Sequence, residues 1–305
     1  MENRRFYSGV LNHCYQRTAD NGVLFYTDLD HLIHFTYYCL AARKYGITVF
    51  ALCQMPDHIH DSVVAQDLSD LSAFKREVNS RFSRDYNSFT GRSGPLFESP
   101  FGSAPKRGDK AARSNIVYVG NNPVERHLCA KAKDYRWNYL AYGISRNPFS
   151  ERRTLRQSRP VLKRALVEIQ SFFCSGKPIN YSALSRLMSP LDSAEKDILA
   201  DSIVSTYNVI DYDRAAALFG GFDNMLIAMN STTGSEYDIK EDFTGRRDSF
   251  YKEMNDILLN KGLLTEIHAL PGLPYADRKR LFPILRRWSN APSAQIEKYL
   301  HLSAR

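Results

Sequence analysis

The chain has 305 residues, room for two domains at roughly 100–200 residues each. Its 43% hydrophobic and 24% charged residues are ordinary for a globular protein and exclude wholesale disorder. The formal net charge is +8, a moderate basic excess. No run approaches the about 18 consecutive apolar residues of a membrane span, since the most apolar segment, 23–42, carries Asp28, Asp30, His31 and His34. The opening MENRRFYSGV has no apolar core ahead of a small-residue cleavage site, so no secretion signal is expected. Five cysteines (Cys14, Cys39, Cys53, Cys129, Cys174) contain no CxxC pair. That disfavours a disulfide scaffold or a thiolate zinc site, and a reducing cytoplasm is the expected setting.

In chain order, 5–17 reads as a strand. Apolar residues at 32, 35, 39, 40 and 42 predict a helix from Asp28 to Tyr45, with Asp28 or Asp30 as its cap. ITVFALCQM (47–55) is a β-branched and aromatic strand, Pro56-Asp57 a turn, and HIHDSVVA (58–65) the return strand. Asp67 or Ser69 caps a helix to about Asn87 with Leu71, Phe74, Val78 and Phe82 on one stripe. A short strand follows at 96–103. A helix from about Asp109 should end or kink at Asn122, because Pro123 disfavours helical geometry in the residue before it. This predicts an α+β domain with an antiparallel sheet and packed helices over 1–150, followed by a mainly α-helical region over 151–305. Gly220-Gly221 and 230–235 mark loops in the second half.

The basic excess is concentrated. Between Lys75 and Arg136 stand 13 basic and six acidic residues, with Phe82, Tyr86, Phe89, Phe97, Phe101, Tyr118, Tyr135 and Trp137 among them. Cations for phosphates beside rings for unpaired bases suit a single-stranded nucleic-acid surface. The same composition also suits a solvated face over an aromatic core. Two further basic runs, one of Arg152, Arg153, Arg156, Arg159, Lys163 and Arg164, the other of Arg278, Lys279, Arg280, Arg286 and Arg287, are more often plain solvent-facing helices.

Two local patterns can carry chemistry. In His58-Ile59-His60 the two-residue period of a strand sends both imidazoles to one face, where they can chelate one divalent cation. His-x-His also occurs by chance on surface strands. Tyr118 and Asn122, four apart, share a helical face. A phenol can take a phosphate polarised by a metal, and an amide oxygen one turn away suits a hard cation. A helical tyrosine is otherwise commonly core.

Together these residues resemble a known family. MPDHIHDSVV (55–64) is similar to the HUH motif (His, hydrophobic, His) of the single-tyrosine transposases. YVGNNPVERHLCAKAKDYRWNYLAY (118–142) resembles their tyrosine helix and its tail, especially in the branch associated with repetitive extragenic palindromes (REP). FKREVNSRFSRDYNSFTGRSGPLFESPFGS (74–103) is similar to the segment between the motifs. The resemblance covers about 5–143. It implies a ferredoxin-like HUH fold, Mg²⁺ or Mn²⁺ held by His58, His60 and Asn122, and Tyr118 as nucleophile. The substrate it implies is single-stranded hairpin DNA, cleaved and transferred through a 5′-phosphotyrosine link that leaves a free 3′-OH. A homodimer is admitted but not required, and neither a membrane nor a nucleotide cofactor is implied. Arg92, Lys106 and Arg107 are DNA contacts by charge and place only. Two positions depart from the pattern. Asp57 stands where relatives commonly have Asn, and Asp61 where an apolar residue is usual. Alternation puts Asp61 opposite the histidines, so it should pair with a basic residue; the other option is a bulge that turns it towards the metal.

Residues 274–305 resemble a helix-turn-helix of the replication-initiator type: a basic helix, then Ser293 capping SAQIEKYLH, with a recognition helix due near Ser303. The competing reading is a helical cap on the core. Two rival functions remain. One is a catalytically silent hairpin-binding regulator descended from such an enzyme, for which Asp57 and Asp61 are the support. The other is a phosphohydrolase. Its histidine-triad form needs a third histidine where Ser62 stands, and its two-histidine form needs a second His-x-Ser/Thr, of which none is read.

Overall fold

The computed structural model describes residues 5–150, 158–231 and 248–302. The expected Arg152, Arg153 and Arg156, most of the 230–235 loop, and the recognition helix due at Ser303 lie outside the described residues.

The first half runs β1 (Leu11–Arg17), α1 (Asp28–Lys44), β2 (Thr48–Met55), β3 (His58–Val64), α2 (Leu68–Thr90), β4 (Gly102–Lys106) and α3 (Gly108–Glu125). The strands form one antiparallel sheet in the order β2-β3-β1-β4. β3 is central and almost wholly buried, which puts both of its faces at work. One face, with Cys14, Leu52, Ile59 and Val63, packs on Phe35 and Tyr38 of α1 and on Leu71, Phe74, Val78 and Phe82 of α2. The expected stripe of α2 is therefore its buried face. α3 covers the other face, where Tyr118 and Val119 meet Cys53 and Met55 of β2.

Local differences from expectation have local causes. Thr27, not Asp28 or Asp30, is the residue before α1; Asp30 reaches back so that its carboxylate accepts from the backbone N–H groups of Tyr26 and Thr27, both at 2.9 Å. The strand expected at 96–103 splits. Phe97 makes only an isolated bridge to Thr18, and the ladder with β1 resumes at Gly102. There a Cβ would stand 1.9 Å from the Tyr15 ring, so only glycine lets that ring lie across β4. α3 does not stop at Asn122 but continues through Pro123 to Glu125. Proline in that last turn forfeits one backbone bond, and the Asn138 side-chain amide donates to the nearby Gly120 carbonyl at 3.1 Å.

After short 3₁₀ turns between 132 and 143 come α4 (Pro160–Cys174), α5 (Tyr181–Met188), α6 (Ser193–Tyr207), α7 (Tyr212–Ala217), α8 (Phe222–Ser231), α9 (Ser249–Asn260), α10 (Tyr275–Trp288) and α11 (Ser293–Tyr299). Leu162, Ile169, Tyr181, Leu199 and Tyr207 join the α1/α2 core. A second cluster draws Met254, Leu258, Leu285, Ile296, Tyr299 and Leu300 around Val23 and Tyr26. Pro292 precedes α11, so Ser293 is its first residue and not its cap. Among the described residues no helix is long and apolar enough to cross a membrane.

Candidate active site

The two-residue turn Pro56-Asp57 closes the β2–β3 hairpin, and the Pro56 carbonyl accepts from Leu24 and Phe25 N–H at 2.7 and 2.9 Å. From that anchored turn β3 sends His58 and His60 to the α3 face, their ring centroids 4.7 Å apart and edge-on. β1 adds His13, whose Nε2 lies 3.0 Å from His60 Nδ1 with the rings stacked at 5.1 Å. α3 lies across them. The Tyr118 ring stands edge-on 5.4 Å from His60 and 5.6 Å from His13, and only 2% of it is exposed. One turn earlier Asn115 accepts from Ser62 Oγ at 2.7 Å, tying α3 to β3. One turn later Asn122 is buried too. Two imidazoles and a phenol 58 residues further along are thus neighbours.

Each imidazole has a defined second contact. His58 Nδ1 bonds to Asp57 Oδ1, and the other Asp57 oxygen bonds to Lys298 Nζ on α11. Burial alone would raise the Asp57 pKa, but the charges of His58 and Lys298 hold it well below the carboxylate range. His58 Nε2 is buried and has no hydrogen-bond partner among the described residues. That is the nitrogen a metal ligand keeps free while a carboxylate holds the other. Burial pushes His60 far down, with His58, His13 and Arg17 adding to it. Burial followed by Lys106 and Lys75 lowers His13 to about 3. His60 and His13 are therefore neutral, the form that binds cations.

These donors fit a divalent cation on one side: two adjacent imidazoles, one with a buried nitrogen that has no partner among the described residues. Among the described residues no group of three His, Cys, Asp or Glu side chains could hold a metal, so a third protein donor must be of another type, such as the Asn122 amide.

Asp61 points to the opposite face, as alternation requires. It is fully buried, receives Lys75 Nζ at 2.5 Å and Tyr38 OH at 2.7 Å, and does not turn towards the histidines. Lys75 is therefore not a surface cation. Most rings interleaved with the basic run, Phe82, Tyr86, Phe97, Phe101 and Trp137, are core side chains, so they are not placed to stack on unpaired bases. Arg92 folds back on its loop, donating to Gly94 and Pro95 carbonyls at 3.3 and 3.0 Å. Arg107 lies 3.7 Å above the Tyr7 ring. Lys106 is near enough to His13 to depress it. A second His-x-Thr does occur, at His34-Phe35-Thr36, but His34 meets Gln54 on the α1 side of the sheet, opposite the face that carries His58 and His60.

Sequence reading missed His13, Tyr15, Arg17 and Lys298. The first three alternate along β1, and register sets Tyr15 opposite His60 and Arg17 opposite His58. Their shared face was readable, but the register was not. Nothing local marks Lys298. A cleft of about 1060 Å³ lies between the start of α1, α5 and α9, and is not lined by His58, His60 or Tyr118.

No protein-family model matches the chain, and no curated protein matches it. A solved structure described as a REP-associated tyrosine transposase bound to a REP hairpin matches over 49% of this chain and 88% of that chain, at 19% identity and a TM-score of 0.39. Likeness at that level carries no argument about fold or function.

Proposed function

We propose that the chain is a metal-dependent nicking and rejoining enzyme for single-stranded DNA of the HUH single-tyrosine transposase type, acting on hairpin-containing (REP-like or transposon-end) DNA. The observation that carries this reading is the convergence of His58, His60 and the Tyr118 ring within 5.4 Å between neighbouring centroids. The element order βαββαβ with the sheet order β2-β3-β1-β4 supports a ferredoxin-like arrangement for the first half. A cytoplasmic location and a homodimer stay as expectations of the same reading.

In this mechanism His58 and His60, with the Asn122 amide oxygen, would hold Mg²⁺ or Mn²⁺. The cation supplies Lewis-acid neutralisation of charge on the phosphate oxygens. Tyr118 loses its phenolic proton and its oxygen bonds to phosphorus. The bond from phosphorus to the 3′-oxygen breaks, and that oxygen takes up a proton. The phosphotyrosine keeps the diester's energy, so a second 3′-OH can reverse the step without a nucleotide cofactor. The rigid strand and helix fix the attacking geometry. Because Tyr118 is buried, DNA reaches it only by displacing covering chain, as in enzymes gated by a conformational step. Arg17, Lys106 and Arg107 are the cations proposed to meet phosphate, with Arg92 shaping its loop.

Asp57 and Asp61 motivated the silent-regulator alternative. Asp61 is bound to Lys75 on the far face and Asp57 holds Nδ1, leaving Nε2 of His58 open, so neither acid obstructs the proposed chemistry. The test is incubation with single-stranded hairpins and Mg²⁺ or Mn²⁺, followed by denaturing gel analysis. A covalent protein–DNA adduct is expected from the wild type and none from Tyr118→Phe. An adduct that persists in that variant removes Tyr118 from the mechanism.

A further inference from the structure

The far end of the described chain reaches the candidate site. α11 is seated by three buried apolar side chains, Ile296, Tyr299 and Leu300. Tyr26 OH donates to the Tyr299 carbonyl at 2.7 Å. Arg278 of α10 donates to the Leu300 and His301 carbonyls at 2.9 and 2.8 Å. His301 in turn sits 2.7 Å from Asp20 and 2.8 Å from Tyr26 OH. These contacts surround Lys298 in sequence, so its backbone is fixed and its ammonium is delivered to one carboxylate, Asp57, 241 positions away.

Asp57 occupies a two-residue turn, and its carboxylate can rotate unless both oxygens are engaged. Here one oxygen meets His58 Nδ1 and the other meets Lys298 Nζ. The carboxylate plane therefore has one setting, and so does the imidazole plane that hangs from it. We infer that Lys298 is a positioning residue for His58: α11, by docking, locks Asp57 so that the Nε2 lone pair of His58 is aimed at the space beside His60. This rests on the reading of His58 as a metal ligand. It extends that reading by making the C-terminal helix part of the metal site. Partners of this kind orient ligands without touching the ion.

The test uses the full chain and two readouts, with Lys298→Met, Lys298→Arg and Asp57→Asn. In the metal-free protein, the Asp57-bound Nδ1–H of His58 should give an exchange-protected low-field proton resonance. It is expected to be lost in Lys298→Met and retained in Lys298→Arg. By calorimetry, Mn²⁺ affinity should fall about 10-fold or more in Lys298→Met, with Lys298→Arg close to wild type. In an Asp57→Asn background, Lys298→Met should cost nothing further, because Lys298 acts through Asp57. An unchanged resonance in Lys298→Met overturns the inference. Equal losses of affinity in both backgrounds also overturn it, since they report general loosening of α11. If the wild type binds no Mn²⁺ while the resonance still responds, the metal reading fails and the positioning of His58 by Lys298 stands.

Discussion

On the α1/α2 side of the sheet, His31 and His34 share Gln54. His31 Nδ1 lies 3.1 Å from the Gln54 carbonyl oxygen, which also accepts from Tyr139 OH at 2.6 Å, and the Gln54 amide donates to His34 Nδ1 at 2.7 Å. His31 is sandwiched between Phe25 and Trp137, with centroids 4.4 and 4.5 Å away. On the α3 side, His58 has one nitrogen held by Asp57 and the other buried with no partner among the described residues. Both sides desolvate imidazoles, so burial does not separate them. What separates them is closure. One network pairs the Nδ1 of both rings through Gln54, while the other leaves His58 Nε2 open next to His60, and a buried polar nitrogen with nothing to bind is costly unless something else binds there.

The largest effects should break the two faces apart. His58→Ala is expected to abolish metal-dependent adduct formation in the gel assay while thermal melting moves little. Lys75→Met on the opposite face should do the reverse. It strands the buried Asp61 carboxylate, at a cost of about 3–5 kcal/mol, read as a lowered denaturant midpoint. Mn²⁺ affinity in the surviving folded protein should be unchanged. A Lys75→Met variant as stable as the wild type would mean that Asp61 is not held as a charge.

How far the sequence anticipated this follows from range. The β2–β3 hairpin, the stripe of α2 and the alternation of His58 against Ile59 and Asp61 are encoded within a few residues, and each appears as expected. The pairing of Asp61 with a base also followed, from the rule that a buried carboxylate needs a partner. The end of α3, expected as a stop or a kink at Asn122, came less cleanly: the helix runs on through Pro123 to Glu125, because a proline in the last turn forfeits only one backbone bond. The aromatic residues of the basic run were ambiguous for a plain reason: composition does not record which way a ring faces. His13 and Lys298 were illegible since their contacts depend on strand register and on a docking event across the whole chain.

Acidification should load the closed face further. Burial lowers His31 and His34 to about 3, opposed for His31 by Asp30 and Gln54. The unfolded chain therefore protonates these rings first as pH falls. Their contribution is complete above the free value of 6.5 and is lost progressively below it, until the folded rings titrate near 3. Between about pH 7 and pH 5 this amounts to about 2 kcal/mol per ring. His268 works in the other direction: burial would lower it, but Asp30 raises it, so it offsets part of the loss. A melting temperature flat across that range would show that the two rings are solvated, and the contrast between the faces would collapse. In a Gln54→Leu variant the rings lose their shared partner. The protein should start less stable, while the slope with pH should persist because burial is its main cause.

The smallest expected effect lies on the α3 face itself. Ser62 and Asn115 form a neutral hydrogen bond at 2.7 Å between β3 and α3, two residues from His60 and one turn from Tyr118. If proximity to the imidazoles were enough to make a side chain functional, Ser62→Ala would damage Mn²⁺ binding and adduct formation. If closure is the criterion, the Ser62–Asn115 bond is already made within the protein, though the Asn115 amide nitrogen is buried without a partner among the described residues, and losing the bond should cost only about 1 kcal/mol of stability. Mn²⁺ affinity should then remain within about threefold, less than 1 kcal/mol on the same scale. A large fall in adduct yield at unchanged Mn²⁺ affinity would place the effect on the helix: the bond would then be setting the distance of Tyr118 from the histidines, and the division between closed and open groups would have to be drawn through α3 as well as between the faces.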